Sequence, residues 1–233
     1  MPWVEADCCP GAHRVAVLIA AEPLANLTAV TDLRPLAWPP APIKTERLIL
    51  RESEARDRAA VIELNASPEV GTYLGGPRPR AELERTVPEV PGRRPGFFVV
   101  ELDGTTIGTI QLDPQDPERP GNRLEAGETE LGYLFLPEAW GYGYATEACT
   151  AALDWFADAL PGEPVVLYTQ TANVRSMRLA EKLGFSELER FTAYGAEQWF
   201  GVLHKIPGWQ SAATSCKDRE WPSATSVART TTS

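Results

Sequence analysis

Two glycines one residue apart, Gly141 and Gly143, stand in the segment Trp140-Gly141-Tyr142-Gly143-Tyr144-Ala145-Thr146, between a strand pattern and a helix pattern. Glycine at such a junction lets the backbone bend tightly and leaves the first amide hydrogens of the helix uncovered. Those donors lie at the positive end of the helix dipole and suit an anion such as a diphosphate. A tight turn that needs glycine only for its dihedral angles has the same appearance, and the spacing leaves both readings open. Farther on, Asn173 opens a second helix pattern and Ser176 follows three residues later. Two carboxylates, Glu130 in the strand pattern and Glu197 just before the last strand pattern, are candidate proton acceptors.

The neighbouring elements must position these residues. Residues 129–136 form a nearly continuous aromatic and aliphatic run that predicts a buried strand, closed by Pro137, which has no amide hydrogen to continue a ladder. After the loop, Ala145, Ala148, Cys149, Ala152, Leu153 and Phe156 recur at helical spacing, so one stripe of that helix must lie on a sheet. Two phosphate-loop motifs are excluded. A P-loop needs Gly-Lys-Ser/Thr, and here Gly143 is followed by Tyr144. A dinucleotide fingerprint needs a third glycine and an acid at the end of the next strand; Thr146 replaces the glycine, and Glu163 precedes the strand at 165–169.

Along the chain, residues 1–42 read as an arm ending in a proline-rich, poorly packing linker, dispensable to the fold. A first strand is expected at 48–51 and an amphipathic helix at 57–66. Ser67-Pro68 and Leu74-Gly-Gly-Pro77 read as breakers around a short helix at 80–87. Strands at 97–102 and 106–112 flank Asp103-Gly104, a hairpin signal because both positions accept positive φ. A loop rich in proline and glycine is expected at 113–127. In the helix opened by Asn173, Ser176, Leu179, Ala180 and Leu183 share a stripe, so Ser176 should face the core, and Gly184 should end the helix. Two antiparallel strands, at 187–194 and 198–205, close the domain, and the Ser/Thr/Ala-rich residues from 208 read as a disordered tail.

The formal charge is −10, with −2 on residues 1–41 and +1 on 208–233, so the acidity belongs to the middle. That speaks against a nucleic-acid backbone as partner and makes a cationic amine the more natural visitor. Four scattered cysteines show neither a disulfide framework nor metal-ligand spacing, which fits a reducing cytoplasm and no metal. The longest apolar run, 15–21, is short for a membrane span and follows an acidic start. No membrane partner is expected.

Four separated segments, Glu130-Leu-Gly-Tyr133, Pro137 through Ala148, Asn173-Val-Arg-Ser176 and Glu181-Lys-Leu-Gly-Phe185, resemble the GNAT superfamily of acetyl-CoA-dependent N-acetyltransferases. Thr45-Glu-Arg-Leu-Ile-Leu-Arg51 with Asp57 is similar to the opening of the branch that includes the ribosomal-protein N-terminal acetyltransferases. The resemblance spans about residues 43–205 and implies a mixed α/β fold. Its mostly antiparallel sheet has about six to seven strands flanked by helices, with a V-shaped split between the central strand and the next. The superfamily's loop usually begins with Gln or Arg. Trp140 stands there instead, so backbone donors would carry the phosphate.

The resemblance further implies acetyl-CoA as co-substrate and direct transfer of the acetyl group to a primary amine through a tetrahedral intermediate. Residues 140–146 would hold the diphosphate, and unpaired amides near Phe135 and Leu136 would face the thioester carbonyl. Asn173 would cap its helix on the Ser176 amide and also contact cofactor. Ser176 would assist the departing thiolate, although a serine at that position can equally serve only to satisfy helix amides. Glu130 or Glu197 would act as base through a water, and Glu130 can equally be a salt-bridge partner. An α-amino group, with an unperturbed pKa of about 8, needs modest help near neutral pH; a lysine side chain, at about 10.4, needs more. Such a protein would be a monomer or homodimer. The alternative is a non-catalytic acyl-CoA-binding or interaction module on the same fold.

Overall fold

The computed structural model describes residues 38–114 and 129–204. Most of the expected arm, most of the 113–127 loop and the whole expected tail lie outside the described residues. Among the described residues eight strands form one sheet: β1 (Ile43–Lys44), β2 (Ile49–Arg51), β3 (Phe97–Leu102), β4 (Thr105–Pro114), β5 (Thr129–Phe135), β6 (Val165–Gln170), β7 (Ser186–Ala193) and β8 (Ala196–Leu203). Their order is β1-β2-β3-β4-β5-β6-β8-β7. Among the described strands only β5 and β6 pair in parallel; the other neighbours are antiparallel. The sheet exceeds the expected six to seven strands through β1, whose two residues are too short to leave a periodic signal. The helices are α1 (Arg58–Ala66), α2 (Pro68–Gly71), α3 (Arg80–Thr86), α4 (Tyr144–Ala159) and α5 (Val174–Leu183).

Local chemistry explains the connections. Asp103 (φ 49°) and Gly104 (φ 81°) make the two-residue turn between β3 and β4. Tyr194 (φ 55°) and Gly195 (φ 74°) make a second one between β7 and β8, so β8 begins earlier than the sequence pattern suggests and Glu197 lies inside it. Ser67-Pro68 does not break the chain as expected but starts α2. The Ser67 hydroxyl accepts the Val70 amide at 3.2 Å, and proline is well suited to a first helical turn.

Side-chain alternation sorts the sheet into two faces. On one face, Ile110, Leu112, Leu131, Phe135, Val165, Leu167, Trp199 and Leu203 join the buried stripes of α4 and α5 in the main core. On the other, Val166, Phe200 and Val202 form a smaller cluster. Helices α1 and α3 pack through Val61, Ile62, Leu83 and Val87. A buried ion network ties the start of α1 to the sheet. Arg51 makes a bidentate contact to Asp57 at 2.8 and 2.9 Å and a third bond to Glu101 at 2.7 Å, while Thr106 donates to Asp57 at 2.6 Å. This is the structural content of the Arg51 to Asp57 spacing. The linker is not free of packing either: Trp38 stacks edge-on to Phe98 at 5.1 Å and to Trp155 at 5.9 Å.

Candidate active site

Beyond Phe135 the chain makes a 3-10 turn at Pro137–Ala139 and then enters the glycine segment. Gly141 has φ 89° and Gly143 φ 83°, values that side-chain-bearing residues rarely adopt. Gly143 is the residue from which α4 springs. Space does not demand glycine at either position: a Cβ on Gly141 would meet nothing within 4 Å, and one on Gly143 only the Arg47 guanidinium at 3.6 Å. Among the described residues, the amides of Gly141, Tyr142, Gly143, Tyr144, Ala145 and Thr146 meet no backbone acceptor, and residues 141–143 are exposed. The turn therefore presents a row of uncommitted donors at the positive end of a 16-residue helix. The Trp140 amide does not belong to that row, because it donates to Pro137 O at 3.1 Å.

The sheet parts beside this turn. β5 and β6 pair only at Thr129↔Val165 and Glu130↔Val166, after which each runs on without the other. Across β4 and β5, Leu136 donates its amide to Ile107 O at 2.9 Å. Leu136 is thus not the unpaired donor expected from the sequence. Because antiparallel ladders alternate, the same register turns the backbone N–H and C=O groups of Tyr133 and Phe135 toward the side that β6 has left. The Phe135 carbonyl on that side is occupied by the Trp140 indole, which donates to it at 2.8 Å. The Arg175 guanidinium covers the Trp140 ring at 4.7 Å. Trp140 thus fastens the end of β5 to the turn, a packing role.

Asn173 and Ser176 enter from the other wall of the split. Asn173 Oδ1 accepts the Ser176 amide at 3.2 Å, the expected cap. Ser176 is buried on the core-facing stripe of α5, as its spacing predicted. Its hydroxyl lies 2.5 Å from the Tyr133 hydroxyl of β5, so one hydrogen bond crosses the split. Burial pushes the Tyr133 phenol well above its ordinary range, the Cys149 thiol adds to this, and the Ser176 bond opposes it. Burial thus disfavours the Tyr133 phenolate, and either hydroxyl can be the donor in the bond to Ser176.

A second unanticipated group stands over the glycine turn. Arg47, in the turn between β1 and β2, donates to Tyr142 O at 3.0 Å and to Glu147 at 2.7 Å, and lies 4.6 Å from the centre of the Tyr144 ring. Glu147, in the first turn of α4, also accepts the Thr45 hydroxyl at 2.5 Å and the Arg47 amide at 2.9 Å. Burial pushes its carboxyl up, but these bonds outweigh that and hold it below the ordinary range. Arg47 and Tyr133 escaped sequence reading because their partners lie 100 and 43 residues away, beyond any local period.

The two carboxylates fall on opposite faces. Glu130 lies where β5 and β6 still pair, on the face opposite to Tyr133, and roughly 17 Å along the strand from Phe135. Directly across on β4 is Asp113, whose carboxyl burial pushes up against the opposing pull of its ion pair with Arg94. Glu197 is exposed near the tip of the β7–β8 hairpin, on the Trp199 face. The structure does not bring the two together. The concave surface between α5, β7 and β8, lined by Val174, Met177, Phe185 and Trp199 among others, contains none of the candidate residues.

A mixed sheet parted at the one parallel pair among the described strands, with an amide-lined glycine turn at the mouth, is the arrangement of an acetyltransferase-type enzyme. The chain belongs to the GNAT acetyltransferases: residues 47–186 match the family model described as the acetyltransferase (GNAT) domain. It is 29% identical over 147 residues to the uncharacterized protein YkkB of Bacillus subtilis, covering 60% of this chain and 82% of the relative. Its fold is similar to that of a GNAT-family acetyltransferase from Bacillus anthracis, with TM-score 0.59 and 25% identity, covering 70% of this chain and 98% of that one. The aminoglycoside acetyltransferase AAC(6')-Ib, solved in complex with coenzyme A, shares the fold at TM-score 0.56 and 18% identity, covering 68% and 95%.

Proposed function

We propose that this protein is an acetyl-CoA-dependent N-acetyltransferase that moves the acetyl group directly to a primary amine, a protein N-terminus or a small amine. The observation that carries the reading is the conjunction of open amides at residues 141–146 with the split beginning after Glu130. The amides take the diphosphate and the split takes the pantetheine arm, with the Phe135 amide on its wall. A fold relative solved with coenzyme A supports the same ligand here. Loaded in this way, the thioester has two sides. On one, Ser176, held by Asn173, meets the sulfur; on the other, the amine's proton leaves along a chain of waters, with Glu130, distant on the opposite face of the sheet, as its acceptor. Glu197, exposed at a hairpin tip, is the weaker base.

The acidic character of the chain favours a cationic acceptor. The segment from Thr45 to Arg51 with Asp57 supports a place beside the ribosomal-protein N-terminal acetyltransferases, and the scattered cysteines support a cytoplasmic setting. The catalytic domain comprises residues 43–207 in this reading. Calorimetry with acetyl-CoA, followed by thiol release over a panel of amines and peptides, tests it. Binding and turnover are expected. Absence of binding at high micromolar ligand by folded protein rejects the reading, and binding without turnover on any acceptor reduces it to an acyl-CoA-binding module.

A further inference from the structure

The hydrogen bond between Tyr133 and Ser176 joins the two walls of the split at the level where a thioester would lie, and the site described so far gives the tyrosine no task. Only one hydrogen can occupy the 2.5 Å between the oxygens. Were it the serine's, Ser176 would have none left for a departing sulfur. A phenol is a stronger acid than an alcohol and so the better donor, and the alcohol oxygen is the better acceptor. The favoured sense therefore runs from Tyr133 to Ser176, leaving the serine hydrogen free and, through the polarised chain, more acidic. Asn173 does not compete, since it holds the Ser176 amide.

We propose that Tyr133 is a positioning residue for acetyl transfer, donating to Ser176 Oγ and so committing the Ser176 hydrogen to the thioester sulfur. This rests on the acetyltransferase reading. In the step itself, the amine nitrogen attacks the thioester carbonyl and the C–N bond forms. The tetrahedral intermediate collapses, the C–S bond breaks, and its electron pair goes to sulfur, which departs hydrogen-bonded to Ser176. The proton lost by the amine passes along the water chain to Glu130, and the thiolate takes one from solvent. Tyr133 does not ionise at any stage, consistent with the burial that disfavours its phenolate.

Tyr133→Phe keeps the ring and removes only the donor. With acetyl-CoA, and with hydroxylamine as a small acceptor after subtraction of the uncatalysed rate, kcat should fall about 10- to 100-fold. The calorimetric affinity for acetyl-CoA should stay within about twofold, a split that a merely structural role would not produce. Ser176→Ala should lose as much, and the double variant should be no slower than Ser176→Ala alone, because the tyrosine acts only through the serine. Tyr133→Phe with wild-type kcat, or independent and multiplying losses in the double variant, overturns the inference. Should Tyr133→Phe fail to fold, 3,5-difluorotyrosine at that position provides a more acidic donor, and an unchanged kcat overturns the inference equally. If wild-type protein binds no acetyl-CoA, or releases no thiol above background, the reading beneath it fails instead.

Discussion

At Gly143 two demands meet: a left-handed backbone and an open approach to the amides that follow. Gly143→Asp should put a carboxylate against the diphosphate and weaken coenzyme A binding by well over tenfold, since an unpaired like charge costs several kcal/mol. Gly143→Ala carries the same backbone strain without the charge. Calorimetry on the two variants separates strain from repulsion; equal losses would contradict a phosphate site at this turn. The glycines were legible in the sequence because a positive φ before a helix admits few other residues. Tyr133 was not, because nothing in a strand pattern tells which residue of a later helix its hydroxyl will meet.

The β1–β2 turn sets the charge at the mouth of α4. Glu147 is an anion beside a proposed anion site, and Arg47 neutralises it while contacting Tyr142 O and the Tyr144 ring. Arg47→Ala should weaken coenzyme A binding about tenfold, more at low salt than at high, where screening shortens the reach of the unneutralised carboxylate. Adding Glu147→Gln should recover most of that loss. Calorimetry at two ionic strengths checks both, and a double variant as weak as the single one contradicts the neutralising role. The element pattern itself was largely readable: the Asp103-Gly104 hairpin, the stripe of α4 and the Asn173 cap all lie where the residues put them. β1 and α2 were not readable, because two and four residues are too few to establish a period. The parting of β5 from β6 came from family resemblance, since a strand pattern does not say how far its pairing extends.

The whole domain is held on its β2 side by the Arg51, Asp57 and Glu101 network. Burial pushes the Asp57 carboxyl up, but bonds from Arg51, Thr106 and the Glu54 amide outweigh it and hold the folded-state pKa below its ordinary value. The linked stability is therefore fully present above the unfolded pKa of about 3.9 and is lost as pH falls through the lower folded value. Asp57→Asn should flatten this acid limb in melts from pH 7 to pH 2. At neutral pH it should cost about 3–5 kcal/mol, because it leaves a buried guanidinium without its main partner. Trp38 makes a second whole-domain claim. A chain begun at residue 37 should be about 1–3 kcal/mol more stable than one begun at 43, because the latter removes an indole packed on Phe98 and Trp155. Urea melts of the two compare them directly, and equal midpoints would place the domain boundary after Trp38.

The central claim is that residues 141–146 grip the diphosphate of acetyl-CoA while its thioester end lies between β5 and β6. A crystal structure with coenzyme A bound tests this most directly. The account predicts diphosphate oxygens within about 3.2 Å of several of those amides and the sulfur beside Ser176 Oγ. Coenzyme A seated elsewhere, with these amides facing only solvent, would contradict it.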